Sequence, residues 1–206
     1  MGEAKFVVAG LIFTLSLVFN LVAAATNYWY LFHDSLVEKS FGLWKQCLKT
    51  SGGILTWGTC SSAKIAWMRP VQSLTVVAAV CVLGAIISII LARAMKQKAL
   101  VFLIIAVVSG GAGTFFMLGG LLLVGLTVPK LSPADSWTGI TNLPYLGWSY
   151  YLAAVHCALA FLATLVTLVI VVLGVVAARR EERGDKRRDR PANRPGPPLP
   201  SKAQRR

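Results

Sequence analysis

Four long apolar segments dominate the pattern of hydrophobic and polar positions, and none of them contains Asp, Glu, Lys or Arg. About 20 helical residues, at about 1.5 Å each, cross the roughly 30 Å hydrocarbon core of a bilayer. A single segment crosses lipid only as a helix, because its backbone polar groups must be satisfied internally. The pattern therefore predicts four transmembrane helices, over about residues 6–26, 71–92, 99–126 and 151–178.

The polar segments between these helices predict two loops on one side of the membrane, 27–70 and 129–149. In the longer first loop, residues 53–59 have the β-branched and aromatic content of a short strand, and we expect two or three strands there. The predicted fold class is an all-α transmembrane four-helix bundle with a small extracellular β-sheet from the first outer loop. Residues 1–180 would form this domain, followed by a disordered, basic and Pro-rich tail over 181–206.

The first apolar segment ends near Ala23, Ala24 and Ala25, small residues that also occur at signal-peptide cleavage sites. The segment is longer than the apolar core of a usual signal peptide, so we favour a retained helix. The topology of the remaining chain is the same under both interpretations.

Basic residues predict the orientation. Lys5 precedes the first helix, Arg93, Lys96 and Lys98 fill the turn between the second and third, and eleven of the 21 Lys and Arg residues follow Ala178. Because basic residues collect in cytoplasmic loops, we predict that both termini are cytoplasmic and that the two longer loops are extracellular. We expect a multi-pass protein of the plasma membrane.

Composition narrows the class of function. Charged residues make up 14% of the chain, against about a quarter in soluble domains. Most of the net charge of +13 comes from basic residues that set the membrane topology and from the solvated tail. We therefore expect no nucleic-acid partner. The sequence has no pair of carboxylates, Ser/His/Asp set or phosphate-binding Gly loop, so we expect no enzyme, no cofactor and no metal site.

Two of the four cysteines lie in the first loop. Because the outside of the cell is oxidising, we expect Cys47 and Cys60 to form a disulfide. A metal site is the weaker alternative, since no second Cys pair lies nearby. Cys81 and Cys157 lie within apolar helices, where buried, unreactive thiols are usual.

Small and polar residues within the helices predict how the bundle packs. Asn20 and His156 should face its interior, where they can form hydrogen bonds. Ser109 and Gly113 have the spacing that brings membrane helices close together. The third helix would approach another helix of the same bundle in this way or, alternatively, a helix of another protomer.

The tail has one interaction pattern. Its Pro-rich segment fits a polyproline ligand for an SH3-type groove, through Arg194, Pro197, Pro200 and Lys202, although such patterns also arise by chance.

The first loop carries the pattern W-x12-GLW-x2-C-x12-C, followed by a basic residue before the second helix, at Trp29, Gly42, Leu43, Trp44, Cys47, Cys60 and Arg69. This pattern resembles the claudin, peripheral myelin protein and epithelial membrane protein superfamily. The resemblance implies a left-handed bundle in which the Trp and GLW residues anchor the outer sheet at the membrane surface. It also implies that the two cysteines bond and that Arg69 corresponds to the basic residue ending the claudin loop.

The chain departs from claudins in two places. It ends Gln204-Arg205-Arg206 and so lacks the apolar C-terminal side chain that PDZ domains bind. Ser61 is uncharged where charge-selective claudins often carry a pore charge. Both departures put a strand-forming role at tight junctions in doubt.

The resemblance implies an adhesion, junction-associated or membrane-scaffold protein that contacts membrane lipids and itself or other membrane proteins, laterally or in trans. An auxiliary subunit of a channel or receptor is the alternative. A paracellular pore is a lesser one. Such a pore should favour anions, because Lys39, Lys45, Lys49, Lys64, Arg69 and Lys130 outnumber the acidic residues of the outer loops.

Overall fold

The structure is a computed structural model that describes residues 3–33, 37–50, 60–62, 66–130 and 145–188. The chain forms two compact units, Met1–Val171 and Val172–Arg206, each of which is described by itself.

Four long helices carry the apolar segments: α1 (Glu3–Ala25), α2 (Met68–Ala94), α3 (Ala99–Thr127) and α4 (Trp148–Arg188). Each contains a stretch long and apolar enough to cross a membrane, which confirms the four predicted spans. Helices α2 and α3 are joined by a single short 3-10 turn, Lys96–Lys98, and are therefore antiparallel neighbours.

Helix α4 differs from its prediction at the C-terminal end. It continues to Arg188, so the predicted disordered tail is helical over 181–188. The cause is local: this stretch is rich in Glu, Arg and Lys, which favour helices, and it contains no Pro before Pro191. Elongating an existing helix also avoids the cost of a new nucleus. Residues 189–206 lie outside the described part of the chain.

A five-stranded antiparallel sheet lies at the end of the bundle where α1 ends and α2 and α4 begin. We call this end of the bundle the sheet end. Its strands are β1 (Tyr30–His33), β2 (Val37–Phe41), β3 (Lys45–Thr50), β4 (Cys60–Ser62) and β5 (Tyr145–Leu146). Their order across the sheet is β4-β3-β2-β1-β5. Four strands come from the first loop, one more than the upper expectation, and β5 comes from the second loop. The strand predicted at 53–59 lies outside the described residues.

The strand register places aromatic residues on one face of the sheet. Tyr30 pairs with Phe41, and their rings stack with centroids 4.4 Å apart. The Phe32 ring packs edge-on against Tyr30, and the Trp67 ring is tilted against Tyr30. Tyr30, Phe32 and Phe41 are buried in the same apolar cluster as Met68 of α2. The sheet is therefore part of the core at the sheet end.

Small residues line the helix contacts. At the opposite end of the bundle the buried cluster is mostly alanine around one large ring: Phe13, Val82, Ile89, Ala9, Ala85, Ala106, Ala160 and Ala163. In α3, Ser109 donates a hydrogen bond to the Cys81 carbonyl of α2 at 2.7 Å, and a Cβ on Gly113 would lie 3.1 Å from the Ala78 carbonyl. The Ser109 and Gly113 spacing thus brings helices together within the bundle.

Two adjacent glycines of α3 give a matched test of this packing. A Cβ on Gly110 would lie 2.7 Å from both Phe13 Cζ and Thr164 Oγ1, whereas a Cβ on Gly111 would meet nothing closer than 4.0 Å. We expect Gly110→Ala to destabilise the protein by about 1–3 kcal/mol through overpacking. Gly111→Ala should be neutral or stabilising by up to about 1 kcal/mol. Thermal unfolding in mild detergent compares them, and equal midpoints would contradict the close packing at Gly110.

Candidate functional site

Trp29 joins the sheet to the end of α1. Its side chain is fully buried, and its indole Nε1–H donates to the Ala23 carbonyl at 2.8 Å. Ala23 lies in the last turn of α1, where carbonyls lack helical partners. The Thr26 hydroxyl bonds the neighbouring Val22 carbonyl at 2.8 Å. Trp29 therefore completes the helix end as well as filling the core.

Gly42 and Leu43 hold the turn between β2 and β3 against the helices. A Cβ on Gly42 would lie 2.5 Å from the Asn27 Cα, so only glycine fits this approach of two backbones. Leu43 is fully buried, and its carbonyl accepts a hydrogen bond from the Gln72 side-chain amide of α2. The turn thus packs against the link between α1 and β1 and is hydrogen-bonded to α2.

Trp44 differs from the other anchors that the resemblance implied. Its side chain is 45% exposed, whereas Trp29 and Leu43 are fully buried. Arg69 is exposed near the start of α2. The structure therefore brings Trp29, Gly42 and Leu43 together inside the fold, while Trp44 and Arg69 lie on its surface.

The two tryptophans give a matched pair of variants. We expect Trp29→Ala to cost about 3–5 kcal/mol, as for other large buried aromatic residues. Trp44→Ala should cost roughly half of that or less in detergent, since almost half of its surface is already exposed. Denaturation midpoints of the purified variants measure both, and a larger loss for Trp44→Ala would contradict these burial assignments.

Cys47 and Cys60 form the predicted disulfide across strands β3 and β4. They are opposite each other in the strand register. The Asn27 amide lies 3.7 Å from Cys47 Sγ, which brings the link between α1 and β1 against the bond. The disulfide fixes the edge strand β4 to the rest of the sheet.

The second loop is joined to the first by backbone contacts. Gly147 N–H donates to the Trp29 carbonyl at 2.9 Å, and Ser149 N–H donates to the Tyr28 carbonyl at 3.1 Å. A Cβ on Gly147 would lie 1.9 Å from that Tyr28 oxygen. The Tyr28 and Trp148 rings stack with centroids 5.6 Å apart. This junction attaches the start of α4 to β1.

Lysines give the sheet its charge. Lys45 and Lys49 are exposed on β3. The Lys49 amine donates to the Tyr28 hydroxyl at 3.3 Å, and this bond, followed by the charge of Glu38, raises the Lys49 pKa. The Lys39 amine lies 4.9 Å from the Phe41 ring centroid, and partial burial lowers the Lys39 pKa. Burial also raises the pKa of the Tyr30 hydroxyl, so that group stays neutral.

A polar cluster links α1 to α4 inside the bundle. His156 Nδ1 lies 2.8 Å from the Ser16 carbonyl, which can only accept, so Nδ1 carries the proton. Nε2 then accepts from the Asn20 amide at 3.3 Å. Asn20 and His156 are fully buried, as predicted. Hydrogen bonds between membrane helices contribute only about 0.6 kcal/mol each. The cluster therefore determines which faces of α1 and α4 pack together more than it stabilises the protein.

Within the described ranges, no group of three or more His, Cys, Asp or Glu residues has the geometry to hold a metal ion. Arg194, Pro197, Pro200 and Lys202 lie outside the described residues, so the SH3-type ligand stays a prediction.

The sequence analysis did not predict the hydrogen bond of Gln72, the backbone contact of Gly147 or the strand β5. Gln72 lies in an apolar helix with no pattern around it, and β5 has only two residues. Gly147, directly before Trp148 at the start of α4, was the one available signal of a close backbone contact.

Comparison with known proteins agrees with this architecture. The sequence profile of the PMP-22/EMP/MP20/Claudin family matches residues 3–167, which span the sheet, α1 to α3 and the first half of α4. A search of individually curated proteins finds no match. Because the profile covers well over half of the chain, this protein belongs to the PMP-22/EMP/MP20/Claudin family.

Proposed function

We propose that the chain is a non-enzymatic, multi-pass protein of the plasma membrane that makes adhesion or junction contacts through its sheet. Family membership supports a membrane protein of this general class. The preferred contact is with a second copy on an opposing cell, and lateral contacts with other membrane proteins are compatible with it.

The proposed orientation places the sheet outside the cell. At the opposite end of the bundle, Lys5 lies in the first turn of α1, and exposed Lys96 and Lys98 lie in the α2–α3 turn. Basic residues in short loops favour the cytoplasmic side. The disulfide at the sheet end favours the oxidising exterior. Both arguments support cytoplasmic termini.

The observation that most supports the proposal is that the sheet buries aromatic side chains on one side and exposes the side chains of β4. Tyr30, Phe32 and Phe41 are buried, whereas all three residues of β4 are exposed. Lys45 and Lys49 of the neighbouring strand β3 are exposed as well. A surface that is already formed loses little conformational entropy on binding, which favours a contact at these two strands.

Trp44 has a proposed role of its own. An exposed tryptophan at the sheet end suits the headgroup region, where its amphipathic ring is stable. It would then set the height of the sheet above the bilayer, in agreement with the family resemblance.

A second candidate function is an anion-favouring paracellular pore. Lys45 and Lys49 are exposed on one face of β3, whereas Lys39 pairs with Leu48 and lies on the other face of the sheet. A cation-lined passage attracts anions. Dilution potentials across an epithelial layer test this candidate, and a cation preference or no change would exclude it.

Imaging of an internally tagged copy in mixed cultures of expressing and non-expressing cells tests the adhesion proposal. Enrichment should occur only where both neighbours express the protein. Lys45→Glu with Lys49→Glu should weaken this enrichment, whereas the matched tail change, Lys202→Glu with Arg205→Glu, should not. An even surface distribution, or retention inside the cell until a larger membrane partner is supplied, would instead indicate the auxiliary-subunit function.

A further inference from the structure

Three side chains from separate segments form a row at the sheet end. The Tyr28 and Trp148 rings stack with centroids 5.6 Å apart. The Lys49 amine lies 3.3 Å from the Tyr28 hydroxyl and 5.7 Å from the centroid of the Tyr28 ring. Lys49 and Trp148 are exposed, and Tyr28 is half-buried. We call these three residues the Tyr28 row. It presents a cation, a phenol hydroxyl and an indole ring to the surroundings of the protein.

The Tyr28 row lies at the depth where two membrane spans end. The candidate span of α1 ends at Ala25, shortly before Tyr28, and the candidate span of α4 begins at Trp148. Tyr and Trp side chains are stable at this depth, because they combine an apolar body with a polar end. The molecules that surround the protein at this level are therefore phospholipid headgroups.

The polar end of the row fits a phosphate group. Because the Lys49 amine donates to the Tyr28 hydroxyl, that hydroxyl keeps its own proton for another acceptor. An ammonium group has three protons, so Lys49 also retains donors beyond this bond. The hydrogen bond to Tyr28, followed by the charge of Glu38, raises the Lys49 pKa. Lys49 is therefore charged and lies beside a second donor.

The aromatic end of the row fits a quaternary ammonium group. Tyr151 follows Trp148 by three residues in α4, so the two side chains lie on the same face of the helix. Trp148 is 46% exposed and Tyr151 is 58% exposed. Faces of aromatic rings attract alkylated ammonium groups such as choline. The row thus offers donors for a phosphate at one end and aromatic rings for a choline at the other.

We propose that the Tyr28 row, together with Tyr151, binds the headgroup of a choline phospholipid in the leaflet at the sheet end. Lys49 and Tyr28 hold the phosphate, and Trp148 and Tyr151 contact the trimethylammonium group. Both ends border the same tyrosine ring, so one phosphocholine group reaches from one end to the other.

Charge favours a zwitterionic lipid over an anionic one. Glu38 lies opposite Lys49 in the strand register, so a carboxylate offsets the charge of the amine. An anionic headgroup would meet this carboxylate as well as Lys49 and would leave the two exposed rings unused. A phosphocholine group has no net charge and uses both ends of the row. This contact needs one copy of the protein and is independent of what the sheet binds in trans.

Titration of the full-length protein in maltoside micelles tests the site, with dihexanoyl phosphatidylcholine and dihexanoyl phosphatidylethanolamine as probes. The two lipids share the phosphate and differ in the methylation of the amine. We expect the choline lipid to bind about two- to fivefold more tightly, as for a cation–π contact at an exposed site. Magnetisation transfer in NMR from aromatic protons of the protein to the choline methyl protons should accompany this binding.

A third probe, soluble phosphocholine, distinguishes a lipid headgroup from a free ligand. It should bind more weakly than the choline lipid, because no acyl chains hold it at the depth of the row. Equal binding of soluble phosphocholine and the lipid would overturn the assignment to a membrane lipid.

Two matched pairs of variants locate the site. Trp148 and Trp44 are almost equally exposed, at 46% and 45%, but Trp148 stacks on Tyr28 whereas Trp44 lies in the turn between β2 and β3. We expect Trp148→Leu to abolish the preference for the choline lipid and Trp44→Leu to keep it. Lys49→Gln should weaken the binding of both lipids about two- to fivefold, as for an exposed ion pair, and Lys45→Gln should change neither.

Equal effects within either pair of variants, or equal affinity of the native chain for the two lipids, would overturn the proposal. If Trp148→Leu does not fold, the lipid preference and the magnetisation transfer of the native chain test the proposal without it.

Discussion

Gly147→Ala is expected to detach the start of α4 from the sheet and to destabilise the protein by about 3 kcal/mol or more. The added Cβ would lie 1.9 Å from the Tyr28 carbonyl oxygen and 2.6 Å from its carbon. These are backbone atoms of the link between α1 and β1, so no side chain can rotate to make room. Either β1 or the start of α4 has to move.

Such a movement breaks several contacts at once. The Gly147 amide bonds the Trp29 carbonyl, the Ser149 amide bonds the Tyr28 carbonyl, and the Thr26 and Ser149 hydroxyls lie 2.7 Å apart. Gly174→Ala is the matched control, because a Cβ there meets nothing within 4 Å in the interior of α4. We expect a large drop in the thermal unfolding midpoint for Gly147→Ala and none for the control. Equal midpoints would show that the junction tolerates a side chain.

Removal of the disulfide has the second large effect. Replacing Cys47 and Cys60 by Ser opens a covalent loop with a sequence separation of 13. The chain-entropy model assigns a loop of this size about 3 kcal/mol of stabilisation. The loss should be concentrated at β4, which has β3 as its only strand neighbour among the described residues. We therefore expect faster proteolysis of the first loop and less protein at the cell surface.

Changing Cys81 and Cys157 to Ala controls for loss of thiols as such. Both are free cysteines within the helices, away from the sheet. This control should keep normal surface delivery and, on a non-reducing gel with a thiol-reactive polymer, should show no reaction until a reductant is added. Reaction without reductant, or a disulfide-free variant as stable as the native protein, would contradict the assigned bond.

Much of the fold followed from the sequence because membranes impose simple rules. An uncharged apolar segment of sufficient length has to be a helix in lipid, so all four spans were predictable. The disulfide followed from two cysteines in one outer loop. The inward direction of Asn20 and His156 followed from the cost of exposing polar groups to lipid.

The remainder depends on contacts between segments distant in sequence. Strand β5 exists because two residues of the second loop complete the β1 edge, and Gln72 matters because it reaches the Leu43 carbonyl. Trp44 belongs to the same motif as Leu43 but is half exposed, a difference that motif spacing does not encode. The α4 extension was missed because the predicted helix ended with the apolar segment at 178, although the charged residues that follow are good helix formers.

The proposed adhesion requires that two copies bind each other in trans through their sheets. Vesicle tethering measures this directly, with full-length protein reconstituted into two dye-labelled populations of phosphatidylcholine vesicles and energy transfer between the dyes as the signal. We expect tethering only when both populations carry the protein, and reduced tethering with Lys45→Glu and Lys49→Glu. Tethering by protein in one population alone, or none with protein in both, would contradict it.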